Sequence, residues 1–239
     1  MKKVLKIIAA GIAVILIGFV GFVWYALQPR LDPRPLPGSL IAATSEAGRA
    51  LLDDADALAD YEQLSESFQQ QRLISYCGVA SGAIVLNAMG KDVSQRNFFT
   101  DEASRVRSRL RVMLGGMSLP DFASLLDAHG ARVSARHAKA SSVEEFRAVV
   151  ERNLSNKDDY LLVNYQREIL GQERVGHISP LAAYDRDSDR VLILDTAGYK
   201  YPPTWVTIES LFVAMSTVDS ASGKTRGFLE ISAGDDKAY

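Results

Sequence analysis

Thiol chemistry is open to a single side chain in this chain of 239 residues, Cys77. Val79, Ala83, Val85, Leu86 and Met89 are apolar and Gly90 is a natural stop, which predicts a buried helix over 78–89 with Cys77 at or just before its start. Backbone N–H groups at a helix start are unpaired and carry partial positive charge. A thiolate there is stabilised, its pKa falls, and it becomes a nucleophile at neutral pH. Burial as a small hydrophobe is the plain alternative for a lone cysteine, so its partners must decide. Of three histidines, His129 precedes Gly130 at a helix end and reads as a surface cap, while His137 lies in a polar strand and reads as exposed. His177 opens an apolar strand, 177–184, which Asp-Arg-Asp-Ser-Asp joins to a second strand, 190–194. Antiparallel pairing of the two returns Asp195 towards His177. An aspartate that accepts from one ring nitrogen fixes the tautomer and leaves the other nitrogen to face a thiol.

These residues need a frame. Ser45 is placed to cap a helix over 46–58, and Ser118-Leu-Pro-Asp121 opens another that Gly130 ends. Ser142-Val-Glu-Glu145 is a capping box for a helix to Leu154, and 207–215 reads as a short helix. Strands are predicted over 131–138, 160–165, 177–184, 190–194 and 226–232. Helices first and an antiparallel sheet second give an α+β class. Arg105, Arg107, Arg109 and Arg111 fall in a polar stretch and read as a solvated loop or helix face. Asp185, Asp187 and Asp189 imitate a calcium loop, but Arg190 replaces its glycine and Thr196 its last glutamate. Gly223-Lys224-Thr225 imitates the end of a phosphate loop without the surrounding turn, so both read as plain turns.

With 47% hydrophobic residues the chain can bury one full core. Net charge is −2, and Lys2, Lys3, Lys6 and Arg30 stand without an acid in the first thirty residues, so the rest is more acidic still. No basic block is present, which argues against nucleic acid as a partner. One cysteine allows no internal disulfide and no multi-cysteine metal cluster, and no cofactor is expected. Ile7 to Leu27 carries no formal charge and as a helix would rise roughly 30 Å, about one hydrocarbon core. Trp24 and Tyr25 sit at its far edge. Val-Trp-Tyr-Ala-Leu-Gln makes a poor signal-peptidase site, which favours an uncleaved anchor over a cleaved signal peptide. The segments are then 1–28 as anchor or signal, 29–39 as a stiff linker with Pro29, Pro33, Pro35 and Pro37, and 40–239 as the catalytic domain.

The order Gln71, Cys77, His177, Asp195 is that of papain-like cysteine enzymes, in which a glutamine amide and the cysteine N–H hold the oxyanion. Longer motifs narrow this. Tyr-Cys-Gly-Val-Ala-Ser (76–81), Val-Leu-Asn-Ala (85–88), Gly-His-Ile-Ser-Pro-Leu (176–181), Leu-Ile-Leu-Asp (192–195) and Tyr-Lys-Tyr-Pro-Pro-Thr-Trp-Val (199–206) resemble phytochelatin synthase. Ala-Met-Ser-Thr-Val-Asp (214–219) and Gly-Lys-Thr-Arg-Gly (223–227) extend the resemblance over about 40–232. It implies a papain-like fold and action on glutathione, free or as a heavy-metal thiolate. It implies Cys77 as nucleophile, His177 as acid and base, Asp195 as orienter and Gln71 in the oxyanion hole. Arg167 would lie near the substrate, with Asp219 and Arg226 at its γ-glutamyl end.

Long members of the family add a cysteine-rich C-terminal region. This chain, ending at Tyr239 with one cysteine, is similar to the short bacterial form, which mainly cleaves glycine from glutathione. Its expected place is a bacterial inner membrane, single-pass with the domain in the periplasm, or exported after signal cleavage. A second copy of the chain is a candidate partner. The alternatives are a peptidase acting on other short peptides or glutathione conjugates, and a thiol-binding module without turnover. The anchor has a direct test: full-length protein should stay in the membrane fraction through a carbonate wash. Recovery of a soluble product starting after residue 26 would show cleavage.

Overall fold

The computed structural model describes residues 2–234; Met1 and residues 235–239 of the expected domain lie outside it. The long apolar run forms α1 (Lys2–Leu27). It is a helix long and apolar enough to cross a membrane, as a span or a signal would be. The domain then runs β1 (Ile41–Ala42), α2 (Glu46–Asp53), α3 (Tyr61–Glu66), α4 (Cys77–Ala88), α5 (Asp101–Val106), α6 (Arg109–Gly115) and α7 (Leu119–Asp127). It continues with β2 (Ala131–His137), α8 (Val143–Ser155), β3 (Asp159–Gln166), β4 (Gly176–Asp185), β5 (Arg190–Ile193), β6 (Thr204–Thr207), α9 (Ile208–Met215) and β7 (Gly227–Ala233).

Among the described residues the strands form one 7-stranded sheet, ordered β1-β6-β5-β4-β3-β7-β2. Every pairing in it is antiparallel. Helices cover both faces. Val79, Ile84 and Leu86 of α4 and Phe122 and Leu126 of α7 pack against one face. Phe146 and Val150 of α8 and Leu211 and Met215 of α9 pack against the other. The α+β class holds, and α8 and α9 fall between strands, as the positions predicted for them require. The strand β7 enters last and fills the slot between β3 and β2. The helix α8 must therefore carry the chain across a strand not yet made.

Local signals place most elements. Ser45 accepts from Gly48 N–H, and Ser118 and Ser142 both close capping boxes. The helix expected over 46–58 stops at Asp53, because Ala57 leaves it to pair with Tyr184 of β4. The strands β1 and β6 were not foreseen. Pro202 and Pro203 disguise β6, whose Trp205 is fully buried and donates to Gly48 O at 3.0 Å. Residues 29–39 are more than a spacer. Asp32 N–H donates to Tyr199 O and Arg34 N–H to Lys200 O, each at 3.0 Å, so the linker is fastened along the domain. Phe228 tests the two-faced core. It is fully buried on β7, 5.1 Å from Phe146 of α8 between ring centroids. Phe228→Ala should cost about 3–5 kcal/mol in urea unfolding, against about 1 kcal/mol for Ser142→Ala at its cap. Equal costs would mean that β7 is not a buried interior strand.

Candidate active site

Cys77 is the first residue of α4, and Tyr76 before it makes no side-chain cap. The first-turn N–H groups therefore stay directed at the thiol's side of the helix. The helix comes in close because two positions lack side chains. A Cβ at Gly78 would meet Met117 Sδ at 2.6 Å, and one at Gly82 would meet Phe98 at 2.8 Å. Ser81 Oγ donates to Ile178 O at 3.0 Å and ties α4 to β4 one residue beyond His177. That contact sets the thiol opposite the imidazole.

His177 is buried, with its ring edge-on to Tyr165 at 5.8 Å. Its Nε2 lies 3.0 Å from Asp195 Oδ1, and its remaining nitrogen is left for the hydrogen bond with Cys77. Asp195 Oδ1 also accepts from Ala197 N–H at 2.8 Å, and both its oxygens accept from Arg167 Nη2 at 2.7 Å. Burial opposes the charge on Asp195, yet Arg167 and His177 hold its carboxyl well below the usual carboxylate range. Burial and the Arg167 charge lower the His177 pKa, but Asp195 and the Cys77 hydrogen bond outweigh them and raise it. For Cys77, burial raises the pKa; the hydrogen bond and charge of His177 and the backbone of Ile178 and Gly78 bring it down. Both shifts run in the direction of a thiolate beside an imidazolium.

Arg167 was expected beside the substrate. It is 1% exposed and spends its guanidinium on Asp195 and, through Nη1, on Gln172 Oε1 at 2.6 Å. It does not line the cavity at Cys77. Gln71 was expected to aim its amide at an oxyanion. Its Nε2 instead donates to Leu73 O and Ile74 O, each at 3.0 Å, and to Tyr199 Oη at 3.2 Å, which braces the loop before Cys77. Asp219 and Arg226 do reach the cavity, which has about 340 Å³ and is also lined by Cys77, His177 and Asn164. They stand on the two legs of a tight turn in which Asp219 N–H donates to Lys224 O and Arg226 N–H to Thr217 O. Arg226 is buried; Nη1 donates to Thr217 Oγ1 and Val218 O, whereas Nε has no partner and Nη2 lies 4.0 Å from Asp219. Burial lowers its pKa. Gly176 makes room for it, since a Cβ there would meet Nη2 at 2.9 Å. Asn164, 4% exposed, was missed by the sequence reading. Its signal was a lone amide inside the apolar run of β3.

The other histidines depart from expectation. His129 is half-buried, packs on Phe98 and meets Phe98 O with Nε2 at 2.7 Å, so it joins two segments rather than capping a surface. His137 is half-buried too, with Nδ1 against Thr225 O. The acidic hairpin is a plain turn, in which Asp185 accepts from Ser188 N–H and Asp189 pairs with Arg147. Among the described residues no three His, Cys, Asp or Glu side chains are grouped to hold a metal ion.

A helix-start thiol of lowered pKa, an Asp-bound imidazole and a cavity that both of them adjoin define an α+β protein built around one thiol site. The chain belongs to the phytochelatin synthase family, whose model matches residues 31–228. It is 33% identical over 206 residues to glutathione gamma-glutamylcysteinyltransferase 1 of Lotus japonicus, covering 83% of this chain and 41% of that one. It is 31% identical over 207 residues to the protein of the same name from Arabidopsis thaliana, covering 83% and 42%. Against glutathione gamma-glutamylcysteinyltransferase of Schizosaccharomyces pombe it is 27% identical over 212 residues, covering 85% and 51%. It thus spans two fifths to one half of the length of these relatives.

The electrostatics fix a pH window. The lowered Asp195 contributes stability fully above its unfolded pKa of about 3.9, lost as pH falls through its lower folded value. The raised His177 contributes fully below about pH 6.5, lost as pH rises through its folded value. Iodoacetamide should accordingly label Cys77 well below the pH of about 8.5 at which a free thiol titrates. Asp195→Asn should shift that labelling profile up towards about 8.5 and slow alkylation at pH 7 by about tenfold or more. An unchanged profile would remove Asp195 from thiol activation.

Proposed function

We propose that this protein is a papain-like cysteine acyltransferase and hydrolase that opens the Cys–Gly bond of glutathione. One observation carries the reading. Cys77 and His177, the latter held by Asp195, share their cavity with Arg226, a buried cation with an unpartnered Nε, and with the Asp219 carboxylate. A γ-glutamyl group offers an α-carboxylate for Arg226 and an α-ammonium for Asp219, and its far end then reaches the thiol.

The Cys77 thiolate attacks the cysteinyl carbonyl and forms a tetrahedral oxyanion. The N–H of Cys77 at the start of α4 stabilises it, and Gln71 becomes the second donor by releasing one of its carbonyl partners. His177 protonates the departing amine as the C–N bond breaks, so glycine leaves and a γ-glutamylcysteinyl thioester remains. Water attacks the thioester and gives its proton to His177. The C–S bond breaks and γ-glutamylcysteine departs. Arg167 acts here as a positioning residue: it holds Asp195, and Asp195 holds the imidazole.

Hydrolysis outweighs transfer in this reading. Among the described residues one guanidinium–carboxylate pair lines the cavity, which suits one γ-glutamyl group at a time. A second glutathione, free or as a metal thiolate, competes with water as acceptor without an equivalent seat. The helix α1 tethers the domain to a membrane, with the domain outside the inner membrane of a bacterium-like cell.

Glycine release from glutathione is the test. Cys77→Ala should abolish it while keeping the fold. Arg226→Gln should raise KM by about tenfold or more. Full release by the alanine variant would end the cysteine-enzyme reading and with it the papain-like mechanism. Products at millimolar glutathione, measured by mass spectrometry with and without cadmium, should be mostly γ-glutamylcysteine and glycine in both cases. A product pool dominated by phytochelatin and switched on by cadmium would show transfer to be the main reaction.

A further inference from the structure

Where α1 meets the domain, the last residue of the helix, Leu27, accepts a hydrogen bond of 3.0 Å from Ile74 N–H. Leu27 also packs against the core. Beside this joint lies a cavity of about 440 Å³, walled by Trp24 and Gln28 on one side and by Arg72, Arg96 and Arg109 on the other. No acid lines it. Arg109 Nη2 donates to Arg96 O, and its guanidinium lies 5.6 Å from the Phe99 ring. Two acids of this region are already engaged, Asp121 with Arg107 at 3.2 Å and Glu102 with Arg105 at 3.8 Å. Among the described residues Arg72, Arg96, Arg109 and Arg111 are thus exposed cations without an ion-pair partner.

Apolar side chains sit among them. Leu110 and Leu114 of α6 are 58% and 63% exposed, and Ile74 is 48% exposed. The leucines are four apart and share one side of the helix, with arginines flanking Leu110. Basic residues around exposed leucines suit a helix lying in a lipid headgroup layer. Trp24 at the same joint is a ring that prefers that depth. Side chains that touch the end of a membrane span are necessarily near its headgroups.

We propose that the face made by the 72–74 loop, Arg96 and α6 rests on the anionic phospholipid surface from which α1 emerges. The four arginines contact lipid phosphates, and Leu110 and Leu114 enter the interface. Ile74 and Leu114 also line the Cys77 cavity, so the same contact turns the mouth of that cavity to the membrane. This rests on α1 being a retained span, and not on the reaction carried out at Cys77.

The test is hydrogen–deuterium exchange on the full-length chain in nanodiscs of phosphatidylcholine, with and without phosphatidylglycerol. Amides of 72–76 and 107–116 should exchange about threefold or more slowly in the anionic discs. The difference should vanish at about 1 M NaCl and in an R72Q/R96Q/R109Q/R111Q variant whose melting temperature matches the parent. If that variant melts early, single R72Q and R111Q variants should each lose part of the protection. Equal exchange in both discs, with α1 intact, overturns the lipid contact alone. The same protection from millimolar inorganic phosphate in neutral discs also overturns it, by showing a site for a soluble anion. Recovery from cells of a chain beginning after Leu27 removes the span and the proposal together. None of these outcomes depends on glycine release.

Discussion

The Asp195 carboxylate is the constraint on which the site depends. It is 2% exposed and accepts from Arg167, His177 and the Ala197 N–H. Removing one partner from a buried ion pair costs about 3–5 kcal/mol, because the charge left behind has no solvent. The fold therefore cannot change Arg167 or the 195–197 corner without losing the imidazole's orientation. Arg167 comes from the short turn after β3 and Asp195 from the end of β5, with His177 at the head of β4 between them. One carboxylate thus joins three neighbouring segments of the sheet, and the thiol is tuned from a distance through them.

The thiol itself is held by packing rather than charge. The bare Cα atoms of Gly78 and Gly82 let α4 settle on Met117 and Phe98, and Ser81 bonds it to β4. The helix is buried on all sides, so small shifts in its core positions would be felt at Cys77. Gln71 reinforces this from the preceding loop, where its amide gathers two backbone carbonyls and the Tyr199 hydroxyl. The segment before the nucleophile is a braced loop, and it is also the one that touches the end of α1.

The cavity draws its two ends from different sources. The thiol and imidazole come from the α4–β4 contact, whereas Asp219 and Arg226 come from the turn between α9 and β7. That turn is anchored because β7 sits between β3 and β2. A late strand, set between β3 and the edge strand β2, thus fixes the recognition end against a reactive end made earlier in the chain. The linker from Pro29 to Ser39 is bonded along Tyr199 and Lys200.

The sequence by itself determined what is local. The helix starts at Ser118 and Ser142, the apolar run of α4 and the hairpin of β4 and β5 are written in adjacent residues, and each formed close to its predicted place. The helix-start position of Cys77 and the return of Asp195 to His177 were legible for the same reason. Tertiary structure decided what depends on distant partners. The strands β1 and β6 exist only as pairing surfaces for each other and for β5, and β7 takes its slot only once β2 and β3 flank it. The 46–58 helix ended early because Ala57 found Tyr184 across the sheet. His129 and His137 were drawn half inside by the carbonyls of Phe98 and Thr225. Arg167 turned from the cavity to Asp195, and Gln71 to its own loop, because a buried donor goes to the acceptor that burial brings near it, and sequence spacing does not record which acceptor that is.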